Sequence, residues 1–398
     1  MGSAGAGTTR GTTVPQVCAN HVTRNRWGRW EGRGNGPSPT IRSQCSCPIH
    51  DTRSNPVTDR AHLAFATALH RVAAPDQNSD ACWSPYSVAS ALALAMEGAR
   101  GETRVELEGL LGSSVTALLK EAASPKELSV ANTLWAADDL PLNPEFSLAA
   151  HVRNAPFASD PETVRKLVNT DVAETTHGLI PELMPSGSVS PDAVAMIVNA
   201  LYLKVAWLSP FPAYDTTERP FHTPGGDVAV PTMRHTAKFR YARSPGWQTI
   251  VLPAASGVEA VVLLPDGDLS APLDPVVLEA TDHVRLDLSM PRVDVSMKMS
   301  LKDSLVQLGV WSMFSENADF TGISPDPRLF VDDVLHEAVL RVDEEGLEGA
   351  AATAATFRLV SIEIEDDPVV VEVDRPFLLL VRHANTGAIY FMTRIVRP

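Results

Sequence analysis

The sequence predicts an α+β fold, and three observations carry that expectation. Segments with helical spacing of apolar residues gather in the first half of the chain. Runs rich in β-branched and apolar residues gather in the second half, and no regular strand–helix alternation or internal repeat joins the two. A doubly wound parallel sheet needs that alternation, so a mixed α+β domain is expected instead.

Two regions differ in character. Residues 1–57 are rich in Gly, Ser, Thr, Arg and Pro and show neither helical nor strand period. They are expected to be a disordered extension, or an artefact of an early start codon. Residues 58–398 read as one domain. Within it Asp59–Val72 places Leu63, Ala66, Leu69 and Val72 at helical spacing. Ser84-Pro85 supplies a cap and a first-turn proline for a helix running to Gly98. Val105–Leu111 predicts a short helix stopped by Gly112, and Pro161–Thr176 an amphipathic one. Ala195–Val205 (AMIVNALYLKV) is apolar enough for a central strand buried on both faces. Val258–Leu264, Val284–Leu288, Val369–Val373 and Phe377–Arg382 are further strands.

Composition excludes several functions. The chain has 398 residues, 44% hydrophobic and 20% charged, with no apolar run long enough for a membrane helix and no apolar leader at its start. The net charge is −15, but residues 1–57 carry seven Arg against Glu31 and Asp51, a balance of +5 that leaves −20 on the body. So acidic a body argues against nucleic acid and against polyanionic cofactors. Three of the four cysteines (Cys18, Cys45, Cys47) precede residue 58 and only Cys82 follows it, so no disulfide framework is expected. Cys18, Cys45, Cys47 and His50 match no zinc spacing, and no metal is expected.

Enzyme signatures fail one by one. There is no Gly-x-Ser-x-Gly elbow, phosphate-binding loop or complete Gly-x-Gly-x-x-Gly. His336-Glu337 opens like a zinc-protease motif, but position 340 is Leu. No catalytic residue is expected.

The stretch from Glu344 to Pro368, EEGLEGAAATAATFRLVSIEIEDDP, raises a different possibility. All eight residues from Gly349 to Thr356 are Gly, Ala or Thr. As a strand, one face takes Leu347, Gly349, Ala351, Thr353, Ala355, Phe357 and Leu359, all buriable. The other takes Glu348 and Arg358. Yet the Ala-rich middle has poor strand propensity and, on composition alone, favours a helix or a linker. A segment able to be an exposed loop or an inserted strand satisfies both facts.

The surrounding sequence is similar to that of the serpin family. Val334-Leu-His-Glu-Ala-Val-Leu-Arg-Val-Asp-Glu-Glu-Gly346 resembles the strand leading into that family's reactive-centre loop. Arg375-Pro-Phe-Leu-Leu-Leu and the segment from Gly387 to Pro398 resemble its terminal strands, and Ser84-Pro-Tyr-Ser87 with ALALAMEGARGET its early helix. Asn199-Ala-Leu-Tyr-Leu-Lys204 with Trp207 resembles the central strand. Leu301–Gly309 and FSENADFTG resemble the later helix and its turn. Together these cover the chain from about residue 60 to its end, in the family's order.

That resemblance implies a serpin fold of three β-sheets and eight to nine helices with an exposed reactive-centre loop, in a metastable monomer without cofactor. It implies an inhibitor of serine proteases whose loop is cut by its target. Counting from the glutamate matching Glu344 gives Val360–Ser361 as the reactive bond and an elastase-like target. A shifted count would make Arg358 the specificity residue for a trypsin-like enzyme, or Phe357 or Leu359 that for a chymotrypsin- or subtilisin-like one. Glu344, Glu345, Gly346, Leu347, Glu348, Gly349, Ala350, Ala351, Ala352 and Thr353 match the hinge. At Leu347 inhibitory members usually carry a small hydroxylated residue, and at Gly349 an alanine. Ser84, Ser87, Asn199 and His336 match a polar cluster beneath the main sheet, and Trp207 the gate where the loop enters. The sequence names no compartment, though members of the family are often extracellular.

Overall fold

The computed structural model describes residues 59–149, 151–269, 275–278, 282–327, 329–347 and 367–398. The chain divides into two units, 1–52 and 53–398, and every described residue belongs to the second. The reading of residues 1–57 therefore lies outside the described residues.

Among those residues there are seven α-helices and three sheets, a mixed α+β architecture. Helix α1 (Arg60–Ala73) starts where expected, because Asp59 accepts the His62 N–H at 2.9 Å and so satisfies one free amide of the first turn. Helix α2 (Pro85–Gly98) is capped by Ser84, which accepts the Ser87 N–H at 3.0 Å, and is buried almost all round. Helix α3 (Gly101–Leu111) begins four residues earlier than the sequence suggests and ends at Gly112, whose φ of 81° suits glycine. Helices α4 (Val115–Ala122), α5 (Pro144–Ala149), α6 (Pro161–Thr175) and α7 (Lys302–Gln307) complete the set.

The strands run in chain order as follows. The first five are β1 (Ala81–Trp83), β2 (Leu128–Ala137), β3 (His151–Ala155), β4 (Ala195–Leu203) and β5 (Val205–Ala206). Next come β6 (Thr217–Thr223), β7 (Gly226–Ser244), β8 (Trp247–Pro253), β9 (Val258–Pro265), β10 (Asp282–Pro291) and β11 (Val293–Ser300). The last five are β12 (Leu335–Val342), β13 (Gly346–Leu347), β14 (Val369–Glu372), β15 (Phe377–His383) and β16 (Ile389–Ile395). A nine-stranded sheet has the order β1-β16-β15-β9-β8-β7-β10-β14, with β6 paired to β7. Its centre is the most apolar part of the sequence: every residue of β9, β15 and β16 is buried.

The other two sheets, β3-β2-β4 and β11-β12-β13-β5, are parts of one layer. Strand β5 continues β4 after the single residue Lys204. The layer therefore reads β3, β2, β4/β5, β13, β12, β11, with the two described residues of β13 at one end of the space between β4 and β12. Along the rest of that space no ladder joins β4 to β12 among the described residues. This corrects the expectation of a central strand buried on both faces. Strand β4 is mostly half-buried, and one of its edges faces the gap.

Candidate functional site: a parted sheet and its hinge

The gap between β4 and β12 is the feature around which the sequence-predicted residues collect. Its two rims run parallel, since β13 is antiparallel to both β12 and β5. Side chains alternate along each rim. On β12 the buried set is His336, Ala338, Leu340 and Val342; on β4 and β5 the matching set includes Asn199, Leu203 and Val205. These face α2. The opposite face meets α6, where Thr133 of β2 bonds Asp171 at 3.4 Å.

Midway along the gap both rims are tied to the start of α2. His336 is 5% exposed, and its Nε2 accepts the Ser84 backbone N–H at 3.0 Å. That bond requires the neutral tautomer with its proton on Nδ1, and burial pushes the pKa down to about 4. On the other rim Ser87 Oγ donates to Asn199 Oδ1, while Asn199 Nδ2 donates to Asn132 Oδ1 on β2. Ser84, Ser87, Asn199 and His336 thus form one cluster, and α2 holds the two rims at a fixed separation. Each of the four side chains has a hydrogen-bond partner, as buried polar groups require.

At the hinge end the chain turns from β12 into β13. Asp343 Oδ1 accepts the backbone N–H groups of Glu345 and Gly346 at 2.9 and 3.1 Å, closing the turn. Glu344 is only 6% exposed. Its carboxylate takes Arg292 Nε at 3.0 Å and Nη2 at 2.7 Å, and the Thr216 hydroxyl at 2.5 Å. Burial works to raise its pKa, but Arg292 and Thr216 more than offset this and hold it below the ordinary value. Trp207, buried, donates its Nε1–H to the Asp343 carbonyl at 2.9 Å, and its backbone N–H reaches the Glu345 carbonyl at 2.9 Å. It stands apart from the polar cluster and lines the hinge.

Gly346 and Leu347 pair with Ala206 and Val205 on one side, and Leu347 with Val342 on the other. A β-carbon on Gly346 would sit 2.2 Å from the Val205 carbonyl oxygen, so only glycine passes there. Leu347 is 1% exposed, so the larger apolar residue is accommodated. The remaining hinge positions Glu348, Gly349, Ala350, Ala351, Ala352 and Thr353 lie outside the described residues. So do Phe357, Arg358, Leu359, Val360 and Ser361.

At the far end the gap widens into a cavity of about 120 Å³. Leu92 and Ala95 of α2 form its inner wall, Ala195 and Ile197 one rim, and Val331 and Leu335 the other. Met184 and Val189, in the segment after α6, close it from outside. That segment is fastened by a reciprocal pair between Asn169 and Met184 (2.9 and 2.8 Å) and by Lys298 Nζ on the Glu182 carbonyl at 2.9 Å.

Sequence reading missed Arg292, Thr216, Asp343 and Asn132. Arg292 lies 52 residues from Glu344 and Thr216 128 residues away, so no local pattern signals either pairing.

Comparison with known proteins bears on the same region. Residues 60–398 match the Serpin family, described as serpin (serine protease inhibitor). A leukocyte elastase inhibitor of Bos taurus is 30% identical, over 79% of this chain and 92% of its own length. An Arabidopsis serpin in its native stressed conformation superposes with a TM-score of 0.72 at 28% identity, covering 85% of this chain and 96% of the other. Uncleaved ovalbumin superposes with a TM-score of 0.74 at 24% identity, over 85% and 99% of the two chains, a likeness of fold.

Proposed function

Because the chain belongs to the serpin family, we propose that it is a suicide-substrate inhibitor of a serine protease. The observation that carries this reading is that no ladder joins β4 to β12 among the described residues, while Gly346 and Leu347 are seated between β5 and β12 at one end. A parted layer with a strand begun between its rims is a receptor for the residues that follow. Adding a strand to an open sheet edge, loop insertion included, is a recurring mode of recognition because the main chain supplies the hydrogen bonds.

The target's nucleophile attacks the carbonyl carbon of Val360, the Val360–Ser361 amide breaks, and Ser361 leaves as a new amino terminus. Val360 is then held as an ester on the protease. Residues 346–359 insert between β12 and β4, the small residues passing where bulk or charge would be costly. The protease is carried along and its active site distorted before water cleaves the ester. This chain supplies no catalytic group. Val360 suits an elastase-like target; Arg358, or Phe357 and Leu359, would direct it to a trypsin-like or a chymotrypsin- or subtilisin-like one.

A second reading is favoured by Leu347 and Gly349, which depart from the residues usual in inhibitory members. On it the protein is a non-inhibitory serpin, a protease substrate or a binding protein. Incubation with elastase, trypsin, chymotrypsin and subtilisin, followed by denaturing gels and mass spectrometry, separates the two. A covalent complex with release of a peptide beginning at Ser361 supports the inhibitor and its bond. Clean cutting of the loop by all four enzymes with no stable complex refutes it.

A further inference from the structure

The register of β13 fixes which loop residue would meet which part of the gap. Leu347 pairs with both Val342 and Val205, and it shares the α2-facing side with them. Extending that antiparallel register places Gly349, Ala351, Thr353, Ala355 and Phe357 on the same side. On that register Thr353 would fall between His336 and Asn199, and Phe357 between Asp332 and Ala195, the first residue of β4. Two coincidences follow. The single hydroxyl on that side meets the rung where both rims carry polar groups. The single aromatic ring reaches the place where the gap opens into the cavity of about 120 Å³.

The cavity suits a ring. Ala91, Ala95 and Ala195 leave the space, while Leu92, Ile197 and Leu335 give it apolar walls. Asp332 and Asp333 also line it, and an engineered cavity of about 150 Å³ with a wholly apolar lining takes benzene. We propose that this cavity is the receptor for the Phe357 side chain after the loop is cut, so that Phe357 anchors the inserted strand rather than selecting the protease. The inference rests on the reading of the chain as a serpin whose loop inserts. It adds a residue-specific endpoint: insertion is complete only when the ring is buried.

The test compares the wild-type chain with Phe357→Ala and Phe357→Leu. Each is cut by trypsin after Arg358, with the bond confirmed by mass spectrometry, and the uncomplexed cleaved protein is unfolded in guanidinium beside the intact protein. The expected result is that cleavage raises the wild-type midpoint sharply. The Phe357→Ala rise is smaller by roughly 0.5 M, and Phe357→Leu recovers part of it. The three intact proteins unfold together. If cleavage leaves the wild-type midpoint unchanged, the loop does not insert, and the inhibitor reading fails along with this one. If the wild type rises and Phe357→Ala rises equally, insertion stands and the assignment of Phe357 to the cavity is overturned. It is also overturned if the intact and cleaved Phe357→Ala proteins lose the same amount.

Discussion

Lowering the pH should loosen the sheet through His336. In the native state its Nε2 accepts the Ser84 N–H at 3.0 Å, and burial holds its pKa near 4, against 6.5 for the exposed side chain. The unfolded chain therefore takes up a proton near pH 6.5 that the folded chain refuses until about pH 4. Stability contributed by the neutral ring is present above pH 6.5 and is lost as the pH falls through that window. Between about pH 7 and about pH 5 the loss from this residue alone is about 2 kcal/mol. Buried His62 and half-buried His70, each pushed down to about 4 mainly by desolvation, act in the same direction. The assay is urea unfolding by tryptophan fluorescence at half-unit steps from about pH 7.5 to about pH 4.5, on the wild type and His336→Gln. The variant should be less stable at neutral pH. Below about pH 6.5 it should lose stability less steeply, by about one proton's worth, or about 1.4 kcal/mol per pH unit. Equal slopes in the two proteins would refute the assignment of His336 as a neutral acceptor bridging β12 to α2.

Three further outcomes are expected. Glu344→Gln removes the charge facing Arg292 while keeping the shape, and should lower the stability of the intact protein by about 1–3 kcal/mol, read as a shift in urea midpoint. Gly346→Val places a β-carbon 2.2 Å from the Val205 carbonyl oxygen. It should displace β13 and, if the chain inhibits by loop insertion as proposed, turn inhibitor into substrate, seen as cleaved protein accumulating at the expense of complex on denaturing gels. Ser87→Ala leaves Asn199 without its α2 partner and should cost about 1 kcal/mol, measured by thermal unfolding of the intact chain.

How far the sequence could be read depended on how local each signal was. Helices α1 and α2 were legible to within a residue because Asp59 and Ser84 are caps that act within three residues of themselves. Strands β9 and β15 were legible because both faces of each are buried and the sequence is apolar throughout. Strand β7 was not. Its nineteen residues include Pro231, Arg234, His235, Lys238 and Arg240, and nothing local marks them as a strand; pairing with β6, β8 and β10 holds it extended. Helix α4, of eight residues, was missed because so short a helix draws its stability from packing rather than from its own sequence. The polar cluster was legible as residue types at matching positions, but its bonds were not, since Ser84 and His336 are 252 residues apart.

That the segment after Glu344 is small and smooth, with Leu347, Thr353 and Phe357 on one face as a strand, follows from the order of residues alone. Alternation and side-chain size are properties of adjacent residues, and they need no partner to be read. Whether this face has somewhere to go is a matter of the folded molecule. The parting of β4 from β12 among the described residues, the clamp of Arg292 on Glu344 and the register that pairs Leu347 with Val205 each join residues far apart in the chain. Such pairings are set by which surfaces are buried together, and a sequence carries that information only through the fold it adopts.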